Sequence, residues 1–119
     1  MVKLLREDLR ERAQETFAVV LLNTASEVLG IVEVAVGGIG SVSVDPRLVL
    51  GAALAAGAPR MVLAHNHLGS AVNPSVDDDA LTARMLRAAA EVGVKVLDHV
   101  IIGVEGQSYS YEAHGRMTS

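Results

Sequence analysis

Two histidines one residue apart close an apolar run, Met61-Val62-Leu63-Ala64-His65-Asn66-His67, and an acidic cluster, Asp77-Asp78-Asp79, follows across a loop. Side chains of an extended strand alternate faces at a rise of about 3.3 Å per residue, so His65 and His67 point the same way with backbones about 7 Å apart. Both imidazoles can then reach one cation, while Asn66 points elsewhere. A third ligand has to come from outside the strand. Asp78 has the right phase. Leu81, Met85, Ala88 and Val92 mark the inward stripe of a following helix, and Asp78 lies three residues before Leu81 and seven before Met85. Asp77 and Asp79 are each turned away by about 100°. An inward carboxylate without a partner is costly, and a metal ion would supply one. Two neutral imidazoles and a carboxylate suit zinc and leave the fourth tetrahedral position open for water. Ser75-x-x-Asp78 is also a helix start, a serine N-cap with acids placed in the first turn by the helix dipole, and that reading by itself accounts for Ser75 and the acidic run.

These residues need elements that position them. The spacing of apolar residues predicts a charged helix over 2–14, with Leu4, Leu5, Leu9 and Ala13 as a thin apolar stripe. A buried strand follows at 16–22 and a second strand at 27–36, antiparallel across a turn at Asn23-Thr24-Ala25-Ser26, with a short strand at 41–44. Asp45-Pro46 starts a helix that runs to about Ala56 and stops at Gly57. The histidine-bearing strand begins at Arg60, and the helix after Ser75 spans 76–92 and ends at Gly93. Strands at 94–102 and 108–111 and a polar tail over 112–119 complete the chain. The fold class is mixed α/β (α+β), a central mixed sheet flanked by helices.

The text around the histidines resembles a known family. His65-x-His67, seven residues from Leu68 to Pro74, then Ser75-Val76-Asp77-Asp78, is the pattern of the JAMM metalloproteases of the JAB/MPN superfamily. Glu15-Thr16-Phe17, Asp45-Pro46-Arg47, Leu63-Ala64-His65-Asn66-His67, Asn73-Pro74-Ser75 and Leu97-Asp98-His99-Val100-Ile101-Ile102-Gly103 resemble its RadC-like branch, in the same order, from about Glu15 to Tyr111. One departure is visible: the branch continues His-Asn-His with Pro-Ser-Gly-Asp, and this chain has Leu68-Gly69-Ser70-Ala71. The residue count to Ser75 is kept, so the ligand positions are kept, and the loop over the metal differs in shape.

The resemblance implies a JAMM/MPN (cytidine deaminase-like) fold and a zinc-dependent hydrolase of peptide or isopeptide bonds, with one zinc ion per chain on His65, His67 and Asp78. It also implies a glutamate upstream of the histidines as the base and a serine between histidine and aspartate as oxyanion support. The serine is Ser75. The glutamate is Glu15, with Glu11 and Glu33 as fallbacks. His99 stands beside Asp98 inside an apolar strand, where a lone histidine is more often a hydrogen-bonded core residue; strand alternation puts the two on opposite faces, so at most one faces the metal, where it could orient a ligand histidine.

Composition bounds these readings. The chain has 119 residues, half of them hydrophobic and 20% charged, which fits one domain, residues 1–119, and excludes a disordered segment. Full-length members of the branch carry an N-terminal helix-hairpin-helix region, for which these residues leave no room. There is no cysteine, so thiolate zinc sites and disulfides are excluded. The net charge of −4 and the scarcity of aromatic residues argue against DNA binding, although the family is associated with DNA repair. No apolar run reaches the roughly 18 residues of a membrane span, and the N-terminus lacks the apolar core of a secretory signal, so a cytoplasmic location is expected. The expected partner is a protein or peptide substrate. The apolar content of so small a chain also points to exposed hydrophobic surface and a homodimer. The alternatives are a non-catalytic protein-interaction module of the same fold and a DNA-repair accessory protein.

Overall fold

After Thr16, the strand Thr16–Leu22 (β1) carries no polar side chain, and all seven of its residues are buried. A strand covered on both faces reads as a continuous apolar run rather than an alternation, and β1 lies inside the sheet accordingly. The structure is a computed structural model describing residues 14–37, 44–69 and 71–118. After β1 come β2 (Val28–Val36), helix α1 (Pro46–Ala56), β3 (Arg60–Asn66), helix α2 (Val76–Glu91), β4 (Lys95–Ile102) and β5 (Ser108–Ser110). The strands form one sheet in the order β2-β1-β3-β4-β5. β1 runs antiparallel to both β2 and β3, β3 and β4 are parallel across the α2 crossover, and β5 returns antiparallel to β4.

Alternation divides the buried strand residues between two faces. Phe17, Val19, Leu21, Met61 and Leu63 form one core with Val49 and Ala53 of α1 and Leu81, Met85 and Ala89 of α2. Val20, Leu22, Val62, Ala64, Val100 and Ile102 make a second cluster on the other face. Both described helices therefore pack on the same face of the sheet. His65 alternates with Ala64 and lies on the helix-bearing face.

The helix ends follow their sequence signals. Asp45 caps α1 through its side chain, Pro46 takes the first turn, and Gly57 closes the helix at φ 65°. Ser75 caps α2, and Gly93 at φ 72° turns the chain toward β4. The inward stripe of α2 differs from the expected one: Asp78, Leu81, Thr82, Met85 and Ala89 are buried, whereas Ala88 is only partly covered and Val92 is exposed. Val92 lies beyond the last helical residue, and the buried face is centred on Asp78 and Met85, about 50° round from Leu81.

The topology gathers three chain segments at one end of the sheet. β3 ends at Asn66, and the crossover brings the first turn of α2 over that end. The antiparallel β1 starts there, with Phe17 paired to His65, and Thr16 pairs with Val36 at the close of β2. The helix expected over 2–14 and the strand over 41–44 fall on residues outside the described set, except Gln14 and Val44, neither of which lies in a helix or strand. Among the described residues no helix is long and apolar enough to cross a membrane.

Candidate metal centre

His65 and His67 emerge at the end of β3 and meet the first turn of α2. His65 Nε2 lies 3.1 Å from Asp78 Oδ1, and His67 Nε2 lies 3.2 Å from Asp78 Oδ2. One nitrogen from each ring and one carboxylate oxygen all fall within 4.8 Å of one another, so the three side chains could hold a metal ion. The pocket is graded in exposure. His65 is fully buried, the Asp78 side chain is 6% exposed, and the His67 side chain is 20% exposed, so His67 is the most open of the three.

The donor atoms are presented by hydrogen bonds on their far sides. His67 Nδ1 lies 3.1 Å from the Ala71 carbonyl oxygen, which can only accept, so Nδ1 carries a proton and donates, leaving Nε2 toward Asp78. His65 Nδ1 meets His99 Nε2 at 2.8 Å. Asp78 is held by the cap of its helix: its backbone N donates to Ser75 Oγ at 3.1 Å, and the Ser75 backbone N donates to Asp78 Oδ2 at 2.8 Å. The helix-start reading and the ligand reading of Asp78 are thus compatible, because the capping box aims the carboxylate.

Charge and burial oppose each other at the centre. Burial works against the Asp78 carboxylate, yet its contacts with His65 and His67 hold its pKa well below the usual carboxylate range. The Asp78 carboxylate lifts the pKa of His67 above its ordinary value, with a lesser contribution from the charge of Glu15. Burial holds His99 well below the ordinary histidine value, so that ring is neutral. His65 Nε2 is a buried ring nitrogen without a hydrogen-bond partner, close to a carboxylate but not aligned to bond it. An unpartnered buried polar atom is destabilising, and a cation between Nε2 and Asp78 would satisfy both. Imidazole nitrogens and a carboxylate, with no sulfur, are a donor set that divalent transition ions accept.

Glu15 stands half-buried immediately before β1. Its backbone is pinned on both sides. The Glu15 carbonyl accepts from Gly37 N at 2.6 Å, Thr16 N donates to Asn66 Oδ1 at 2.6 Å, and Asn66 Nδ2 donates to the Gln14 carbonyl at 3.2 Å. Asn66, between the two histidines, thus ties the strand that bears them to the segment that bears Glu15. Of the fallbacks, Glu33 pairs with Ala18, whose side chain lies on the face of the sheet away from His65. Glu11 lies outside the described residues. Ser75 is exposed at the rim, and its hydroxyl, accepting from Asp78 N, keeps its own proton for donation.

His99 is the member of the Asp98-His99 pair that faces the centre. Asp98, on the other face, accepts from Ser110 Oγ at 2.6 Å and from Glu112 N at 2.9 Å and shapes the turn after β5. Two residues of the centre's surroundings carried no signal in the sequence. Thr82 bonds His99 from α2, with Oγ1 2.6 Å from His99 Nδ1. Tyr111, read as the end of a strand, is buried and stacks on His99 at 4.8 Å between ring centroids, and its hydroxyl donates to Asp79 Oδ1 at 2.8 Å.

A family model described as RadC-like JAB domain matches residues 1–116. The chain belongs to the RadC-like JAB domain family. Its five-stranded mixed sheet and two described helices are consistent with a JAB/MPN fold. A UPF0758 protein of Rubrobacter xylanophilus is 43% identical over 114 residues, covering 96% of this chain and 49% of the relative. UPF0758 proteins of Caldanaerobacter subterraneus and Saccharophagus degradans are 36% and 39% identical, over 97% and 90% of the chain. This RadC-like domain spans about half the length of the curated relatives it matches.

Proposed function

We propose that this RadC-like JAB domain is a zinc-dependent hydrolase of amide bonds in peptides or isopeptides. The observation that carries the reading is the pair of Nε2 atoms aimed with Asp78 at one point, one of them buried without a hydrogen-bond partner. His65, His67 and Asp78 would hold the ion. When bound, zinc supplies Lewis acidity, bringing the pKa of a water toward about 7 and polarising a carbonyl.

The chain supplies the rest. Glu15 takes the proton of the attacking water at its carboxylate and returns it to the leaving nitrogen. This role follows from the resemblance to JAMM metalloproteases, and Glu15 stands half-buried just before β1, whose Phe17 pairs with His65. Ser75 donates its hydroxyl proton to the developing oxyanion, and its fixed place as the α2 cap keeps that donor preorganised. The burial of His65 beneath Phe17, 6.2 Å between ring centroids, would keep water away from the His65 side of the centre. The substrate is a protein or peptide, which reaches the centre past His67.

The test is the Glu15→Gln variant assayed beside the wild type for zinc content and for hydrolysis of peptide and isopeptide substrates. Retained zinc with turnover reduced by about 10²–10⁴-fold is expected for loss of a general base. Zinc-loaded wild-type protein that cleaves neither class would leave a protein-interaction module as the reading.

A further inference from the structure

The contact between His65 Nδ1 and His99 Nε2 can be made by either of two proton arrangements, and the residues behind it select one. Thr82 Oγ1 donates to the Asp78 carbonyl oxygen at 2.8 Å, and Thr82 Oγ1 also lies 2.6 Å from His99 Nδ1. A hydroxyl has one proton to give, and a carbonyl has none. The Thr82 proton is therefore committed to Asp78, and His99 Nδ1 must be the donor toward Thr82. A neutral imidazole carries one N–H, so His99 Nε2 is bare and accepts from His65 Nδ1–H. His65 Nε2 is then a bare lone pair, and it is the atom left without a hydrogen-bond partner 3.1 Å from Asp78 Oδ1. The chain of bonds starts on the backbone of Asp78 and ends against its side chain, passing through α2, β4 and β3.

We infer that Thr82 and His99 are positioning residues that hold His65 as its Nδ1–H tautomer before any ion arrives, so that Nε2 is presented to a divalent cation. Protonation of His65 at Nε2 would put a hydrogen where the ion belongs. Of the other contacts of His65, Phe17 meets the ring by stacking and is indifferent to the tautomer, and Asp78 Oδ1, 3.1 Å from Nε2, would favour a proton there but is not aligned to bond it, so the choice falls to the Nδ1 side. The rings behind it are also held in place. Tyr111 stacks on His99 with 11° between planes, and Phe17 meets His99 edge-on at 6.0 Å. The inference rests on the metal-centre reading for its purpose and on the hydrogen bonds alone for its content.

The experiment follows nitrogen-15 resonances of the histidine rings in metal-free protein and measures zinc affinity separately, for the wild type, Thr82→Val and Thr82→Ser. In the wild type, His65 and His99 are expected to carry their protons on Nδ1. Thr82→Val removes the acceptor for His99 Nδ1–H, so His65 is expected to show mixed tautomers and zinc affinity to fall about 10–100-fold, the usual effect of losing a partner behind a ligand histidine. Thr82→Ser restores the hydroxyl and is expected to restore both readouts. A proton on His65 Nε2 in the wild type would overturn the inference. So would a Thr82→Val variant with wild-type tautomers and affinity, or a Thr82→Ser variant that restores neither. A wild type that binds no zinc would defeat the hydrolase reading, yet the ring resonances would still decide the tautomer. Zinc binding without hydrolysis would leave both readouts intact.

Discussion

Replacing Asp78 by asparagine separates the two jobs that this residue performs. Asparagine keeps a side-chain oxygen for the Ser75 N–H, so the reciprocal cap of α2 survives. What is lost is one negative charge, buried beside two imidazoles and near a helix N-terminus. The dipole contribution is about 0.3–1 kcal/mol, and relief of burying a carboxylate offsets part of it. At a pH above the raised pKa of His67, where its charged pairing with Asp78 is absent, the metal-free variant should therefore unfold within about 1 kcal/mol of the wild type. Metal binding behaves differently. An ion present at a thousand times its Kd stabilises the folded state by about 4.1 kcal/mol. An unfolding entropy of about 2.1 cal/mol/K per residue over 119 residues converts this to a rise in Tm of about 16 °C. Calorimetry of the wild type with and without zinc should show a shift of that size. Asp78→Asn should begin within about 4 °C of the metal-free wild type and gain little from the same zinc concentration. An Asp78→Asn variant with the full zinc shift would refute the assignment of Asp78 as a ligand. A metal-free variant that fails to fold would refute the argument that the cap survives.

Four further outcomes are expected. Ser75→Ala should lower metal-free stability by about 1 kcal/mol through loss of the cap and turnover by about 10²–10³-fold through loss of an oxyanion donor, whereas Ser75→Asn should keep the stability and lose the turnover; equal turnover in all three would remove Ser75 from the chemistry. Asn66→Ala deletes two of the three bonds that pin the backbone around Glu15, so turnover should fall while zinc affinity, measured by titration, stays close to wild type. The folded-state pKa of His67 is raised above the ordinary 6.5, so in metal-free protein its pairing with Asp78 stabilises below that value and is lost as pH rises through the raised pKa. Zinc affinity should run the other way, weakening as pH falls and protons compete for His67, and denaturation and titration series against pH check the two signs. The edge strand β2 exposes Val28, Leu29, Val32 and Val36, and sedimentation should show self-association that Val32→Lys weakens, since a charge on an open edge opposes strand pairing.

The parts of the centre that were legible in the sequence are those whose geometry is local. His65 and His67 share a face because a strand has period two, and Asp78 faces them because a helix has period 3.6. The α1 boundaries follow from Asp45, Pro46 and Gly57, each acting on its own backbone. Thr82 was not legible for the same reason that makes it useful: a polar side chain does not register in an apolar stripe, although Thr82 stands one turn after Asp78 on the buried face. Tyr111 and Asn66 were hidden because their partners are distant in the chain, His99 for the ring of Tyr111 and the backbone of residues 14–16 for the amide of Asn66. The choice of His99 over Asp98 required the sheet register, in which His99 pairs with Leu63 on the helix-bearing face. The placement of Glu15 required the antiparallel pairing of Phe17 with His65.

The most direct measurement is the metal content of protein purified without added metal and then offered zinc, wild type against His67→Ala. His67 is the most exposed of the three side chains, so its truncation removes a donor with the least disturbance of the core. About one zinc per wild-type chain, lost in a His67→Ala variant that remains folded, is the predicted result. Wild-type protein that takes up no zinc, or a His67→Ala variant that holds zinc as tightly, would contradict the metal centre.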